Sequence, residues 1–334
     1  MNTAFVEKSG IEFCQVNSPV NLPTAWQIES LLLKIFEYGD YSFRSALCGR
    51  YCKELNCTFF ISRKNTSVIG AAGCLYSRKN PLICILGPVC VESAFRRKGL
   101  ASELCKLLLS YLKAEGCLAV YLGVGQHNPA VALYKKLGFE KYKGIVMRKL
   151  FCSESLFAEK FSEFKEIKLR RTDWSDFPSV SALICEPANL YTFDYQRKIF
   201  SSKFVKPHRF LSVFPEMIKS FEKYGGFANV LIAGNEEALV GIAHINRLSS
   251  PTQCHIAILD FFVRDNFIGQ SSNLVAKTIQ QSFFLSTKKI IAYCIACDHN
   301  KQNVLQSLGA KKLTVLPQHI YLDNKFIDVL IYEL

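Results

Sequence analysis

Three cations and a glycine, Arg96-Arg97-Lys98-Gly99, stand between an apolar strand pattern and an amphipathic helix pattern, a placement suited to binding a polyanion. Before them run Leu82-Ile83-Cys84-Ile85-Leu86 and Val89-Cys90-Val91; after them Leu100, Leu104, Leu107, Leu108, Tyr111 and Leu112 recur at helical spacing. The first amides of a helix lack intrahelical partners and carry partial positive charge. Gly99 would let a phosphate approach those amides, with the neighbouring cations adding attraction. The same four residues also fit a solvated basic turn, so a second feature has to decide.

That feature follows another strand-like run, Leu118 to Leu122: Asn128-Pro-Ala-Val-Ala-Leu-Tyr-Lys-Lys-Leu-Gly-Phe139. Together the two blocks resemble the GNAT family of N-acetyltransferases. The family's pyrophosphate motif is Arg or Gln, two residues, Gly, one residue, then Gly or Ala, filled here by Arg96, Gly99 and Ala101. Its second block is an Asn and a short helix ending Leu-Tyr-x-x-x-Gly-Phe, matched by Asn128, Leu133, Tyr134, Gly138 and Phe139. The resemblance covers Pro19 to Leu150 well and the remainder in outline.

The resemblance implies acetyl-CoA as cosubstrate, without a metal, and a direct attack of a primary amine on the thioester. Arg96, Arg97, Lys98, Gly99, Leu100 and Ala101 would form the phosphate cradle. Backbone N–H groups of Val89 and Val91 would hold the pantetheine arm and thioester oxygen, with Asn128 nearby. Tyr134 resembles the family tyrosine that protonates the departing sulfur; its alternative is a core aromatic, and that of Asn128 a turn former. An acidic residue often sits where this chain has Gly123, which removes a frequent base. His127, the only histidine in the first 150 residues, is then the candidate, with relayed water as the alternative. Glu92, beside the phosphate turn, is expected to face solvent or a nearby Arg. The segment between the first two helices usually lines the acceptor site, making Tyr38, Asp40, Tyr41 and Arg44 candidate contacts; Asp40 also fits a helix cap.

Positioning those groups requires an α+β fold. The pattern predicts a strand at Ile11–Val16, a helix on Ile28, Leu31, Leu32 and Ile35, a second helix over Phe43–Cys52, and strands at Cys57–Ser62 and Ser67–Tyr76. Gly87-Pro88 then interrupts an apolar strand, and proline inside a sheet is tolerated chiefly at a bulge. The family's fourth strand is bulged and splays from the fifth. Gly116 ends the long helix, and Val146–Leu150 is the last strand of this half.

After a linker, Phe151–Phe164, the order of elements repeats: a strand at Ile167–Arg171, helices at Asp173–Cys185 and Phe204–Tyr224, then strands at Val230–Ala233, Leu239–Ile245 and His255–Val263. A helix at Asn273–Leu285, a strand at Ile290–Ala296 and a short helix at Asn303–Leu308 follow. The expectation is two GNAT-like domains, each a mixed, mostly antiparallel twisted sheet flanked by helices. Residues 1–150 are the acetyl-CoA-binding catalytic domain and 151–334 a degenerate copy that is structural or shapes the substrate site. In that copy Asn266, Gly269 and Ser271 replace Arg96, Gly99 and Ala101 without an adjacent cation, and Leu305 replaces Tyr134.

Composition fits this division. At 334 residues, 49% apolar and 21% charged, the chain exceeds one core. No apolar run suits a bilayer or a secretory leader, so a cytoplasmic protein is expected. The 14 cysteines largely sit in apolar patterns and read as buried thiols. Cys294-x-x-Cys297 lacks a partner pair for zinc, and Cys48, Cys52 and Cys57 are no stronger. Of the net charge of +13, residues 1–150 carry +10. Coenzyme A accounts for part of that field. A non-catalytic acyl-CoA sensor and a basic RNA-binding module are the competing functions, although no aromatic-interleaved RNA pattern is present.

Overall fold

A computed structural model describes residues 3–8, 10–36, 43–162, 166–186, 207–234, 238–282, 287–322 and 324–334. The chain divides into two compact units: Met1–Phe157 with Asp173–Ser179, and Ala158–Thr172 with Val180–Leu334. The segment following Leu150 thus stays with the first unit, where Phe157 is buried.

The first unit runs β1 (Thr3–Lys8), β2 (Ile11–Asn17), α1 (Leu22–Phe36), α2 (Phe43–Leu47), β3 (Leu55–Lys64), β4 (Ser67–Ser77), β5 (Ile83–Val91), α3 (Leu100–Ala114), β6 (Ala119–Gly123), α4 (Ala130–Lys136), β7 (Glu140–Lys143), β8 (Val146–Leu150) and α5 (Glu154–Glu159). Its eight strands form one sheet in the order β1-β2-β3-β4-β5-β6-β8-β7. Where one strand was expected at the start there is a hairpin, because Gly10 turns the chain at φ +71°. The second helix is shorter than Phe43–Cys52 and stops at Leu47, since Gly49 adopts φ +101°.

The first core follows from α3. Leu100, Leu104, Cys105, Leu108, Leu109 and Leu112 form one buried stripe against Phe60, Cys74, Tyr76, Leu86, Val120 and Leu122 of the sheet. Each such side chain contributes roughly 1.5–3 kcal/mol when fully removed from water. At the far end of α3, Tyr76 hydrogen-bonds Tyr111 and donates to Glu115, both at 2.7 Å, which satisfies polar groups at the margin of that core.

The second unit contains β9 (Ile167–Arg171), α6 (Phe177–Leu183, from Val180 on), α7 (Pro207–Tyr224), β10 (Gly226–Ala233), β11 (Ala238–Arg247), β12 (Ile256–Val263), α8 (Ser271–Ser282), β13 (Lys289–Ile295), α9 (His299–Ser307), β14 (Lys311–Leu322) and β15 (Lys325–Glu333). Its sheet order is β14-β15-β13-β12-β11-β10-β9. Each sheet has a single parallel pair among antiparallel neighbours, β5 with β6 and β12 with β13, at the same place in the order. Instead of one helix from Asp173, a 3-10 turn at Trp174–Asp176 precedes α6; the Asp173 side chain accepts from the Ser175 amide and Asp176 accepts from that of Asp173. The helix α9 starts one turn earlier than expected because Asp298 caps it, accepting from Lys301 N at 2.9 Å.

Candidate functional site

β5 and β6 run parallel only over Ile83–Ile85 and Ala119–Tyr121, then part. The cause lies on the other edge of β5. Its register with β4 shifts between Ala72↔Val89 and Cys74↔Leu86, so Gly87 and Pro88 stand opposite Gly73. Proline has no N–H to lose there, which suits a bulge, and the bulge bends β5 away from β6.

The parting leaves backbone groups uncovered. Glu92 donates its N–H to Ile69 O of β4 at 2.8 Å, so by strand alternation Cys90 faces β4 and the amides of Val89 and Val91 face the gap. β6 pairs with β5 only as far as Ile85, so the ladder covers neither amide. The Val91 carbonyl on that side accepts from Arg96 Nε at 3.0 Å. Arg96 therefore ties the loop back to its strand, a role its place in the motif did not reveal.

At one end of the gap stands the start of α3. Arg97 and Gly99 both lie in the left-handed region, at φ +65° and +80°. Gly99 is the N-cap residue, and no side chain caps the helix. The first α-helical bond is Glu103 N to Gly99 O at 3.0 Å, which leaves the amides of Leu100, Ala101 and Ser102 for another acceptor. A Cβ built at Gly99 would meet nothing within 4 Å, so the cradle is open in front of those amides. Arg96, Arg97 and Lys98 are exposed, and among the described residues none is paired with a carboxylate. Lys64 and Lys98 hold their ammonium groups 5.5 and 5.2 Å from the centre of the Phe95 ring, which adds positive charge beside the loop. Glu92 is held by Lys34 of α1 at 2.5 Å, where an Arg or solvent was expected.

Tyr134 enters from α4. It is 7% exposed and packs edge-on against Phe139, ring centres 5.8 Å apart. Its hydroxyl makes no hydrogen bond to a described residue. Burial, with the nearby thiols of Cys105 and Cys90, raises its pKa well above the ordinary value, so it stays protonated at neutral pH. The thiols themselves are pushed up to about 12 by burial and remain neutral. Asn128 is exposed, and its side-chain oxygen accepts from Ala130 N at 2.9 Å, the turn-forming bond. His127 lies exposed on the same turn, without a hydrogen bond to a described residue.

Tyr38, Asp40 and Tyr41 lie outside the described residues. Arg44 pairs with Glu29 of α1 at 3.2 Å and stacks 4.5 Å over the Trp26 ring. Among the described residues, no group of three or more His, Cys, Asp or Glu is arranged to hold a metal ion, and no helix is long and apolar enough to cross a membrane. All 14 cysteines are free thiols.

The arrangement offers an anion cradle, a strip of uncovered amides and a protonated phenol around one gap, which suits a long phosphorylated ligand with a reactive end. Residues 25–139 match the model of the Acetyltransferase (GNAT) family. No curated protein matches the sequence. Similar solved structures include a GNAT-family acetyltransferase from Streptococcus pneumoniae, 15% identical over 50% of this chain and 98% of that one, with a TM-score of 0.41. A ribosomal-protein-S5-alanine acetyltransferase from Vibrio fischeri is 17% identical over 51% and 93%, TM-score 0.41. The yncA protein of Salmonella typhimurium, solved with its cofactor acetyl-CoA, is 13% identical over 51% and 94%, TM-score 0.41. The family match thus lies within the first unit, and from β2 onward the second unit repeats the first one's order of strands and helices.

Proposed function

We propose that the protein is an N-acetyltransferase that moves the acetyl group of acetyl-CoA to a primary amine by direct attack on the thioester. The acceptor is a small molecule, with a protein amino group as second choice. The observation that carries this reading is the divergence of β5 from β6, with uncovered Val89 and Val91 amides between an open cradle and Tyr134. Acetyl-CoA supplies the activated acyl group and the thiolate leaving group. The amides of Leu100 and Ala101, with Arg97 and Lys98, bind the pyrophosphate end. Arg96 fixes the loop through Val91, and the free amide donor of Asn128 lies toward the pantetheine. The Val89 and Val91 amides orient the arm and polarise the thioester carbonyl. His127 takes the proton from the attacking amine, directly or through water, and Tyr134 gives its proton to sulfur. Tyr38, Asp40 and Tyr41 contact the acceptor. The second unit is structural or shapes the substrate site. Fourteen free thiols suit a reducing compartment, the cytoplasm.

The test is release of free thiol from acetyl-CoA in the presence of a panel of small amines and N-terminal peptides. Amine-dependent release with a mass gain of one acetyl on the acceptor is expected. Coenzyme binding without release for any amine would favour an acyl-CoA sensor. Tight RNA binding that falls steeply with salt would favour the nucleic-acid module.

A further inference from the structure

The second unit keeps the layout of a coenzyme-binding fold, and its own groups stand where the first unit has openings. β12 and β13 pair in parallel over Ile256–Leu259 and Lys289–Ala292 and then part, as β5 and β6 do. The next residue of β12 is Asp260, 1% exposed, and it forms an ion pair with Lys301 of α9, itself fully buried. α9 is the counterpart of α4, so the pair spans the two elements that line the gap. The ammonium also lies 5.0 Å from the centre of the Phe261 ring. Asp298 and Cys294 complete the surroundings: Cys294 Sγ donates to Asp298 O at 3.6 Å, and Asp298 caps α9. β11 and β12 keep an unbroken register from Gly241↔Val263 to Arg247↔Ala257, and Arg264 donates its N–H to Val240 O at 2.9 Å, so by the same alternation the amides of Phe261 and Val263 face the gap; the Phe261 amide donates to the Asp260 carboxylate at 2.8 Å.

The phosphate end differs as well. In the first unit the left-handed Gly99 separates the preceding 3-10 turn from α3, which leaves the helix amides open. In the second, a 3-10 segment at Asp265–Gln270 runs straight into α8, and the Ser271 amide donates to Ile268 O. Gly269 is not left-handed. The amide that an anion would use is spent on the chain itself, and Ser271 is fully buried. Asn266, in the place of Arg96, donates to Phe161 O at 3.1 Å. Arg264 pairs with Glu186 at 3.2 Å and lies over the Phe161 ring at 4.1 Å.

We infer that the second unit is closed to coenzyme A by its own residues: the Asp260–Lys301 pair fills the arm site, and the continuous 3-10 to α8 segment removes the phosphate site. With the first unit binding as proposed above, the chain takes up one coenzyme. Removing one partner would leave the other charge buried and alone, so the pair also holds the gap shut energetically.

Three measurements on the intact wild-type chain test this, and the last does not require the first unit to behave as proposed. With saturating coenzyme A, hydrogen exchange should slow over residues 86–103 and stay unchanged over 258–275. Slowed exchange over 258–275 would overturn the inference, as would calorimetry giving two sites per chain. In the absence of coenzyme, a soluble acetylating ester should modify exposed Lys288 at least about a hundredfold faster than Lys301, because reaction at a buried amine requires local opening. Equal labelling of the two lysines would also overturn it. An unresponsive first unit would sink the proposed function, while the Lys301 labelling still decides the state of the second.

Discussion

Replacing Tyr134 with Phe separates catalysis from packing, because the ring is retained and only one oxygen is lost. The edge-on contact with Phe139 and the 7% exposure are unaffected by the change. The lost hydroxyl bonds no described residue, so no partner is stranded. The expected change in stability is under about 0.5 kcal/mol, a shift in Tm of no more than about 2 °C for a chain of this size. If the hydroxyl protonates the departing sulfur, turnover should fall by roughly 10²–10⁴-fold, about 3–5 kcal/mol of barrier. The raised pKa of Tyr134 supports this use: the folded protein keeps the proton throughout the neutral range, so the donor form is fully populated at assay pH. The assay is free-thiol release at saturating acetyl-CoA and acceptor, with coenzyme affinity measured separately by calorimetry. A purely packing role predicts little loss of rate, because the ring and its contact with Phe139 are kept. Turnover within about threefold of the parent, at unchanged Tm, would refute Tyr134 as the acid and leave water to protonate the sulfur.

Gly99→Val should fold, since a side chain there meets nothing within 4 Å, at a backbone cost of about 1–2 kcal/mol for φ +80°. It should weaken coenzyme affinity at least about tenfold by standing before the α3 amides, and an unchanged affinity would remove the cradle assignment. A chromogenic disulfide should react quickly with Cys48, Cys254 and Cys297, the three exposed thiols, and with the buried ones only on unfolding; rapid reaction at Cys105 would contradict its burial. Alkaline pH should destabilise the fold: Cys90 and Cys105 are raised from 9.0 to about 12 in the native state, so their contribution is complete below pH 9 and is lost as pH climbs toward 12. Over that window each thiol lowers stability by about 1.4 kcal/mol per pH unit. A denaturant midpoint that is flat from pH 9 to 11 would show that these thiols ionise freely.

Much of the first unit was legible because its signals are local. Gly99 between a strand and a helix, Pro88 inside an apolar run, and the short stretch from Asn128 to Phe139 each encode their geometry within a few residues. What stayed hidden depends on contacts between distant positions. Lys34 and Glu92 are 58 residues apart in sequence, and nothing local joins them. Arg96 was read as a phosphate ligand from its motif, yet its Nε is directed at the Val91 carbonyl, an acceptor uncovered only because β6 turns away. β14 and β15 gave no clear alternation because Leu313, Val315, Tyr321 and Phe326 are 37–66% exposed, so apolar and solvent-facing positions do not separate by pattern.

Lys301 is the sharpest case. On a short polar helix a lysine reads as surface, and burying it becomes tolerable only through Asp260, 41 residues earlier on another element. The sequence comparison of the two halves found lost cations and a lost tyrosine hydroxyl, which describes a weakened ligand site. The structures of the two units describe something stronger. In one, the 3-10 turn ends at an extended Arg96 and the left-handed Gly99 starts the helix with its first amides open; in the other, a right-handed passage through Gly269 lets the turn run on into α8 and takes the Ser271 amide. A proline bulge accompanies one gap, and a buried ion pair fills the other. The difference therefore lies in backbone hydrogen bonding before it lies in side-chain charge. Restoring arginine at position 266 alone should consequently fail to create a second coenzyme site, because the Ser271 amide would still be bound to Ile268; a second site appearing in an Asn266→Arg variant by calorimetry would show that charge, and not the helix start, was the missing element.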